Sequence, residues 1–261
     1  MLQQVIDIVK EASALMSTDH FSIMQKDGLA NLVTSSDLAV QHFLTERLAA
    51  LLPGCGFICE EEDFQDIEEA VWIIDPIDGT ANYARGTADC CISVALVRGG
   101  VPELGVVYSP GRDELYAAEK GKGATYNGIP IHVSDRPFAD GIFYTAMSTY
   151  RKEYAKTCSD IIYDIYMQCN DVRRLGSAAI ELCLLAAGVM ELYFEMRLQP
   201  WDYAAAMLIL QEAGGCIATL DGGAPSFTCP SLVLAANKEE SLDKLLDIAR
   251  KHLPDGIPYK D

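Results

Sequence analysis

The 261-residue sequence lacks any run of roughly 18 consecutive apolar residues, which is the length that a membrane-spanning helix requires. Its most apolar stretch, residues 182–193, is interrupted by Gly188 and Glu191. Residues 1–15 carry acids and helix formers, not the basic segment and apolar run of a signal peptide. We therefore expect a soluble, cytoplasmic protein without a membrane partner.

Positive charge is also scarce. Against 38 Asp and Glu residues the chain has 20 Lys and Arg, which gives a formal net charge of −18. Nucleic acid and anionic lipid are bound through basic patches that neutralise phosphate, so we expect neither as a partner. A phosphate-containing substrate would be repelled by the same charge unless bound cations offset it.

Several catalytic and metal-binding patterns are missing. The nine cysteines are odd in number and scattered, and Cys55 and Cys59 have no second pair, so disulfides and zinc are not expected. The four histidines are dispersed and no G-x-S-x-G motif is present. The G-K-G at residues 121–123 lacks the flanking residues of a P-loop. These absences argue against nucleophilic hydrolases and nucleotide-binding P-loop enzymes.

The hydrophobic pattern mixes helical and alternating periods. Helices are predicted over residues 2–16, 37–51, 150–167, 177–187, 201–213 and 238–250. Strands are predicted over residues 56–59, 71–74, 92–97, 104–108, 114–118, 192–196, 216–220 and 232–235. This mixture predicts a layered α/β (α+β mixed) protein, with a boundary near residue 135 between an N-terminal half, 1–135, and a C-terminal half, 136–261.

Four groups of acids each follow a predicted strand or lie at the start of a predicted helix. They are E-E-E-D at residues 60–63, D-P-I-D-G-T at 75–80, W-D at 201–202 and T-S-S-D at 34–37. Taken singly, each has an ordinary explanation as a turn, a solvated acidic loop or, for Asp37 and Asp202, a helix N-cap. Their joint order along the chain favours a common site.

The group at residues 75–80 is the most informative. Four apolar residues lead to Asp75 at the end of a buried strand, Pro76 is expected to turn the chain, and Asp78 then lies beside Asp75. Two carboxylates this close repel each other unless a cation lies between them, and Mg²⁺ prefers such oxygen ligands. The N–H groups of Gly79 and Thr80, at a predicted helix start, are suited to a phosphate oxygen. The pattern predicts metal-assisted phosphate-ester cleavage.

These motifs resemble those of the inositol monophosphatase family. Its first signature is similar to W-I-I-D-P-I-D-G-T at residues 72–80, followed by N-Y, and its second to W-D-Y-A-A at 201–205. The similarity continues through N-L-V-T at 31–34, G-V-V-Y at 105–108, G-K-G-A at 121–124 and R-R-L-G-S-A-A at 173–179. The resemblance implies the layered αβαβα sandwich of the inositol monophosphatase and fructose-1,6-bisphosphatase type, and a homodimer.

The resemblance also implies roles for individual residues. Metal ligands would be Glu60, Asp75, the carbonyl of Ile77, Asp78 and Asp202, which together would hold two to three Mg²⁺ ions. Thr80, hydrogen-bonded to Asp37, would orient an attacking water that is bound to metal, and a third, weaker ion would lie near Glu60. Glu60 and Lys26 would also be catalytic, and Lys26 lies in the segment that resembles the mobile loop of the family. Competition by Li⁺ at a Mg²⁺ position is implied as well.

On the substrate side, the resemblance implies contacts from six positions: Asp78, Gly79, Thr80, Ala178, Glu195 and Asp202. Glu195, seven residues before Asp202, would bind a substrate hydroxyl, although it is otherwise an ordinary charged residue at a strand end. The chain departs from the family pattern at Asn31, Cys59 and Ala81. None of these three departures removes a metal ligand.

The substrate class stays open within this chemistry. The resemblance implies Mg²⁺-dependent hydrolysis of a small phosphate monoester, with myo-inositol monophosphate as the first expectation. Fructose 1,6-bisphosphate, histidinol phosphate and 3′-phosphoadenosine 5′-phosphate are alternatives that the same metal motifs would serve. A different class of function, regulatory binding to a protein such as RNA polymerase, is the other alternative.

Overall fold

The structure, a computed structural model, describes residues 1–16, 22–25, 32–61, 69–149 and 151–259. Its helices are α1 (Leu2–Ser13), α2 (Ser35–Leu51), α3 (Thr80–Tyr83), α4 (Ala155–Tyr166), α5 (Ala178–Ala186), α6 (Pro200–Glu212) and α7 (Glu239–His252). Short 3-10 turns occur at Phe138–Asp140 and Lys152–Tyr154.

Fourteen strands are present in the described residues. They are β1 (Ile23–Gln25), β2 (Leu32–Thr34), β3 (Gly56–Cys59), β4 (Ala70–Asp78), β5 (Cys91–Arg98), β6 (Val101–Ser109), β7 (Glu114–Glu119), β8 (Ala124–Tyr126), β9 (Ile129–Ile131), β10 (Ile142–Thr145), β11 (Asp171–Arg173), β12 (Leu192–Leu198), β13 (Cys216–Ala218) and β14 (Ser231–Ala236).

The strands form two large sheets and one small ribbon. A seven-stranded sheet has the order β3-β4-β5-β6-β7-β8-β9, in which only β3 and β4 pair in parallel. A five-stranded sheet has the order β11-β10-β12-β14-β13 and is parallel around β10. Strands β1 and β2 pair antiparallel with each other. The two large sheets are therefore both mixed.

Helices cover and separate the two large sheets. One hydrophobic core joins α1 and α2 to the outer face of the seven-stranded sheet, and another joins α4 and α7 to the outer face of the five-stranded sheet. The largest core lies between the sheets, where α5 and α6 pack against both. This order of layers confirms the predicted αβαβα sandwich. The division of the chain near residue 135 stays a prediction.

The burial of each helix follows from its layer. The outer helix α1 buries only Val5, Ile6, Ile8, Val9 and Ala12, which recur at helical spacing on one face. Every residue of α5 is buried, and so are ten of the thirteen residues of α6. A helix that is apolar all round is stable only when neighbours cover it on every side, which the middle layer provides.

Three details differ from the sequence prediction. Strand β4 does not end at Ile74 but continues to Asp78, so the turn expected at Pro76 is wrong. The helix predicted from residue 150 begins as the 3-10 turn Lys152–Tyr154 and becomes α-helical at Ala155, while residue 150 lies outside the described residues. Six short strands (β1, β2, β8, β9, β10 and β11) were not predicted, because three or four residues carry little periodicity.

Among the helices of the described ranges, none has both the length and the apolar composition that spanning a bilayer requires.

Candidate active site

A β-bulge in β4 brings Asp75 and Asp78 to the same side of the seven-stranded sheet. Asp75 pairs with Ser93 of β5 and Asp78 with Cys91, so three steps along β4 match two steps along β5. Residues three apart in a regular strand point to opposite faces, and the one extra residue of the bulge cancels this alternation. The bulge, not a turn at Pro76, is what makes the two carboxylates neighbours.

Two further acids lie in the first turns of helices. Asp37 is the third residue of α2 and accepts from the N–H of Thr34 at 2.8 Å, while Asp202 is the third residue of α6 and accepts from the N–H of Gln199 at 2.7 Å. Both form capping boxes with these residues. Thr34 and Gln199 are thus the N-caps, and the alternative that the two acids themselves are N-caps is wrong. Both acids are fixed at a helix start.

Asp75, Asp78 and Asp202 form a compact acidic cluster. Each offers one carboxylate oxygen, and these atoms all lie within 4.8 Å of one another. Burial raises the pKa of all three carboxyls above the ordinary range, and mutual repulsion raises the pKa of Asp75 and of Asp202 further. A site that destabilises three neighbouring carboxylates in this way is suited to a divalent cation.

The hydrogen bonds of the cluster leave oxygens available for such a cation. The Oδ1 atom of Asp75 accepts from the N–H of Ile77 at 3.0 Å, and one oxygen of Asp202 is held by Gln199. In Asp78 it is Oδ2 that is held, by the N–H of Ala179 at 2.7 Å. One oxygen of each carboxylate is therefore anchored to the backbone. The carboxylate oxygens that remain for a metal are hard ligands, which fit Mg²⁺ or Ca²⁺ better than a thiophilic metal.

Glu60 lies next to this cluster because of the parallel pairing of β3 with β4. Cys59 is opposite Ile74 in the register, and the N–H of Glu60 donates to the carbonyl of Ile74 at 3.3 Å, so Glu60 is beside Asp75. The charge of Glu60 contributes to the raised pKa of both Asp75 and Asp202. The structure thus places Glu60 with the acids that the sequence grouped with it, and its role as a metal ligand stays a prediction.

Thr80 connects the end of β4 to α2. Its hydroxyl lies 3.0 Å from the carbonyl of Ile77 and 3.3 Å from Oδ1 of Asp37. The predicted pairing of Thr80 with Asp37 is therefore present as a contact. Burial raises the pKa of Asp37, and hydrogen bonds from Thr34 and Thr80 oppose that shift. The Ile77 carbonyl, predicted as a metal ligand, keeps a second lone pair for that role.

Gly79 is the position where the backbone must turn into α3. Its φ is +89°, and a Cβ atom there would lie 2.8 Å from the carbonyl oxygen of Asp89. Both conditions favour glycine over a residue with a side chain. The predicted helix start at Thr80 is confirmed, although α3 has only four residues. Phosphate binding by the N–H groups of Gly79 and Thr80 stays a prediction.

Two of the predicted substrate residues, Ala178 and Glu195, lie on the side of the cluster formed by α5 and β12. Ala178 is the first residue of α5, and its N–H faces Asp78. Glu195 accepts from the hydroxyl of Tyr193 at 2.8 Å. Burial raises the pKa of Glu195 to about 7, the charge of Asp78 adds to the rise, and Arg174 opposes it. Glu195 and the acidic cluster therefore border the same space.

Three residues of this region had no predicted role. Ser177 donates to Oδ2 of Asp78 at 2.6 Å, and Asn82 donates to the carbonyl oxygens of Asp89 and Leu175, each at 2.8 Å. Buried Glu181 accepts from the N–H groups of Leu175, at 2.6 Å, and Gly176, at 3.1 Å. All three fix the loop before α5. Ser177 and Asn82 lie inside the quoted motifs, but their contacts join segments far apart in sequence.

Lys26 and the three positions that depart from the family pattern differ in what the structure describes of them. Lys26, predicted to be catalytic, and Asn31 lie outside the described residues. Cys59, which departs from the family pattern, is buried in the core that α1 and α2 form with the seven-stranded sheet, and Ala81 is exposed. The side chain of Cys59 thus belongs to the core that supports the chain just before Glu60.

Comparisons of the sequence with known proteins identify one family. The profile of the inositol monophosphatase family matches residues 1–253. Nus factor SuhB from Salmonella typhimurium is 37% identical over 199 residues, which cover 75% of this chain and 74% of the relative. An inositol-1-monophosphatase from Mesorhizobium japonicum is 31% identical over 260 residues, 97% of both chains.

Solved structures share the fold over nearly the whole chain. The extragenic suppressor protein suhB from Bartonella henselae superposes with a TM-score of 0.87 at 28% identity, covering 95% of this chain and 98% of that one. SaIMPase-II with bound inositol monophosphate has a TM-score of 0.81 at 25% identity, with coverages of 97% and 95%. An IMPase/NADP phosphatase complexed with Mg²⁺ and phosphate has a TM-score of 0.81 at 26% identity, with coverages of 95% and 91%.

Proposed function

The chain belongs to the inositol monophosphatase family, and from that membership we propose that it is a Mg²⁺-dependent phosphatase acting on a small phosphate monoester, with myo-inositol monophosphate as its substrate. The observation that carries the proposal is the cluster of Asp75, Asp78 and Asp202, whose facing oxygens lie within 4.8 Å of one another. An acidic site of this kind would repel a phosphate by itself. It would attract one once divalent cations are bound.

Five groups would hold the metal. They are the carboxylates of Glu60, Asp75, Asp78 and Asp202 and the carbonyl of Ile77, and two to three Mg²⁺ ions is the number that we propose. When bound, Mg²⁺ would neutralise the charge of the phosphate oxygens and stabilise the charge that develops on the leaving oxygen. The same sites make the protein sensitive to Li⁺ in this proposal.

Thr80 and Asp37 would position the water that attacks phosphorus. In this proposal Thr80 donates its hydroxyl proton to Asp37, 3.3 Å away, and not to the carbonyl of Ile77, 3.0 Å away, which would bind the metal. A hydroxyl that donates to a carboxylate points its lone pairs the other way, so Thr80 would accept a hydrogen bond from the water. Asp37 is itself held by Thr34 in the capping box, which keeps the pair in a fixed orientation. Lys26 is proposed as an additional catalytic residue from the family resemblance.

The substrate would be held on two sides of the cluster. The N–H groups of Gly79 and Thr80 would bind phosphate oxygens, with Asp78 and Asp202 contacting the substrate beside them. The backbone of Ala178 and the carboxylate of Glu195 would bind ring hydroxyls. Glu195 accepts from Tyr193 through Oε2, so its other oxygen is the one we assign to the substrate. An inositol ring offers several hydroxyls to such groups, because each hydroxyl can both donate and accept.

The comparisons support this choice of substrate and metal. A relative that aligns over 97% of both chains is an inositol-1-monophosphatase, and a structure with the same fold binds inositol monophosphate. Another binds Mg²⁺ and phosphate. All nine cysteines are free thiols, which is typical of a cytoplasmic protein. We propose that location, a homodimer, and no nucleic-acid partner.

A second candidate function is a regulatory role in transcription. The observation that favours it is the 37% identity to a protein named Nus factor SuhB. In this case the chain would bind another protein, and the acidic cluster would contribute little to the phenotype. An Asp78→Asn variant that lacked phosphatase activity but restored the phenotype of a deletion strain would favour this function over catalysis.

Phosphate release from a substrate panel tests the first function. The panel contains myo-inositol 1-phosphate, fructose 1,6-bisphosphate, histidinol phosphate, 3′-phosphoadenosine 5′-phosphate, NADP and glycerol 2-phosphate. Each is assayed with Mg²⁺, with EDTA, and with Mg²⁺ plus Li⁺. We expect inositol phosphate to be the best substrate, EDTA to abolish turnover, and Li⁺ to inhibit it.

Two variants make this test specific to the site. Glu195→Gln should raise KM for inositol phosphate by roughly 10-fold, because the neutral amide oxygen of Gln is a weaker acceptor for a hydroxyl than the carboxylate is. The variant should change little for glycerol 2-phosphate. Tyr193→Phe, which frees Oε2 of Glu195, should have a smaller effect. If no compound of the panel is hydrolysed in the presence of Mg²⁺, the phosphatase proposal is refuted. If another compound of the panel is preferred, that compound replaces inositol phosphate as the proposed substrate.

A further inference from the structure

Asp78 differs from the other two acids of the cluster in how it is held. Asp75 and Asp202 accept from N–H groups two and three residues away in their own segments. Asp78 accepts from the hydroxyl of Ser177 at 2.6 Å and from the N–H of Ala179 at 2.7 Å, which are 99 and 101 positions further along the chain. Both bonds reach the same oxygen, Oδ2.

We propose that Ser177 is a positioning residue of the metal site, whose hydroxyl makes Asp78 a single-oxygen ligand and directs Oδ1 towards the cation. The inference rests on the metal binding of the proposed function and goes beyond it, because Ser177 would touch neither metal nor substrate. Its effect would pass through the orientation of one carboxylate.

The Oδ2 atom of Asp78 has its hydrogen-bonding capacity filled by the protein. Each carboxylate oxygen has about two lone-pair positions for hydrogen bonds or metals. In Asp78, Ser177 and Ala179 occupy both positions of Oδ2, and the thiol of Cys91 lies 3.8 Å from the same atom. No acceptor position remains on Oδ2 for a cation. Oδ1 is the oxygen left to bind one.

The coordination geometry of Mg²⁺ makes the orientation of Asp78 important. Mg²⁺ demands nearly ideal octahedral coordination, so a ligand oxygen that rotates away or a carboxylate that binds through both oxygens is poorly tolerated. Without the Ser177 hydroxyl, one lone pair of Oδ2 becomes available and the carboxylate can turn about its Cβ–Cγ bond. Groups that orient a metal ligand are worth about 10- to 100-fold in metal affinity.

The rest of the loop before α5 is anchored independently of the hydroxyl of Ser177. Buried Glu181 accepts from the N–H groups of Leu175 and Gly176, and Asn82 donates to the carbonyl of Leu175. The N–H of Ala179 still donates to Asp78 when the hydroxyl is absent. Loss of the hydroxyl alone should therefore leave α5 and the fold in place while it changes the metal site.

The experiment measures Mg²⁺ binding directly, without substrate. The full chain and its variants are titrated with Mg²⁺ alone by isothermal calorimetry, and the rise of the melting temperature with Mg²⁺ concentration gives a second value of Kd. We expect Ser177→Ala to raise Kd by about 10-fold or more and Ser177→Thr, which keeps a hydroxyl, to stay within about 3-fold of the original chain.

Two further variants separate positioning from a general loss of stability. Ser231→Ala removes a buried hydroxyl of β14 that accepts from the N–H of Ser226 and from the hydroxyl of Tyr203. Because both partners are outside the acidic cluster, this variant should leave the Mg²⁺ Kd unchanged. Cys91→Ala removes the weak thiol contacts with Oδ2 of Asp78, at 3.8 Å, and with the hydroxyl of Ser177, at 3.7 Å. It keeps the hydroxyl of Ser177 and should raise Kd less than Ser177→Ala does. Melting in EDTA shows whether each variant is folded.

The steady-state kinetics give an independent readout. Ser177→Ala should raise the Mg²⁺ concentration for half-maximal activity by the same factor as Kd, with a smaller change in kcat at saturating Mg²⁺. An unchanged Mg²⁺ Kd in folded Ser177→Ala, or equal effects of the Ala and Thr variants, would overturn the inference while the original chain remained a phosphatase. Absence of Mg²⁺ binding by the original chain would overturn the proposed function as well.

Discussion

The hydroxyl of Thr80 lies 3.3 Å from Oδ1 of Asp37, a residue 43 positions earlier in the chain. The other carboxylate oxygen of Asp37 accepts from the N–H of Thr34, so both ends of this carboxylate are engaged. The contact links the start of α2 to the start of α3, immediately after the bulged end of β4. It fixes the hydroxyl of Thr80 at the edge of the acidic cluster.

Replacing Thr80 by Ala should reduce kcat without weakening Mg²⁺ binding. The substitution removes the hydroxyl that we propose orients the attacking water, and loss of such a group typically costs 10²- to 10⁴-fold in rate. The metal-binding carboxylates are untouched, so the Mg²⁺ dependence should stay the same. Steady-state kinetics at several Mg²⁺ concentrations measure both quantities.

The matched control for this prediction is Thr80→Ser. Serine keeps a hydroxyl that can donate to Asp37, and most of the rate should therefore remain. Equal rates for the Ala and Ser variants would show that the hydroxyl has no role in the chemistry.

Asp75→Asn should stabilise the protein in EDTA and destroy its response to Mg²⁺. Burial and the charges of Glu60, Asp78 and Asp202 raise the pKa of Asp75, so without metal its charged form is unfavourable. A neutral amide relieves this cost and can still accept from Ile77. We expect an increase of about 1–2 kcal/mol in the free energy of unfolding, which is a few degrees in Tm.

The control is Asp171→Asn. The pKa of Asp171 is lowered by its hydrogen bond with Arg173, so its charge is favourable and its removal should not stabilise the protein. Thermal melts with EDTA and with Mg²⁺ measure the effect. If Asp75→Asn were less stable than the original chain in EDTA, repulsion within the cluster would not be the dominant effect.

Glu181→Gln should flatten the pH dependence of stability. Burial raises the pKa of Glu181 from 4.5 to about 8. An acid with a higher pKa in the folded state binds its proton more tightly there, so its contribution lowers the free energy of unfolding as pH rises from about 4.5 to 8. Glutamine removes this titration and can keep the bonds from Leu175 and Gly176 through its amide oxygen.

Urea denaturation at pH 5, 6.5, 8 and 9 measures this effect. The stability of Glu181→Gln relative to the original chain should increase with pH, by on the order of a few kcal/mol between pH 5 and 9. If the free energies of unfolding of the variant and of the original chain differed by the same amount at every pH, Glu181 would have an ordinary pKa in the folded protein.

Gly79→Ala should destabilise the fold more than Gly86→Ala does. Both glycines have positive φ, +89° and +72°, so both substitutions strain the backbone. A Cβ atom at residue 79 would also lie 2.8 Å from the Asp89 carbonyl, whereas at residue 86 it meets nothing within 4 Å. We expect a loss of about 1 kcal/mol for Gly86→Ala and clearly more for Gly79→Ala. Urea denaturation of both variants in EDTA measures the difference, and equal losses would show that the close approach at Asp89 is relieved by a small shift.

Local patterns predicted much of the fold. The apolar spacing of α1 and α2 and the continuous apolar runs of β3 and β5 identified these elements to within a few residues. The longer helices were found because each presents several turns of consistent periodicity. The short strands β8, β9, β10 and β11 were missed because their pairing partners, not their own sequences, make them strands.

The end of β4 shows why local patterns reach a limit. The residues D-P-I-D-G-T predicted that Asp75 and Asp78 would be neighbours, and this is correct. The assigned cause, a turn at Pro76, was wrong, because the extra residue is accommodated as a bulge against β5. A bulge depends on the register of two strands, which neither strand's sequence specifies alone.

The sequence by itself determined which side chains are available for chemistry: the acids, their order along the chain, the glycine at residue 79 and the threonine after it. Tertiary structure alone decided which of them meet. Ser177 and Ala179 contact Asp78 across about a hundred residues, and Glu60 is beside Asp75 because β3 and β4 pair in parallel. The physical reason is that identity and local periodicity are properties of a segment, whereas contact and burial are properties of how segments pack.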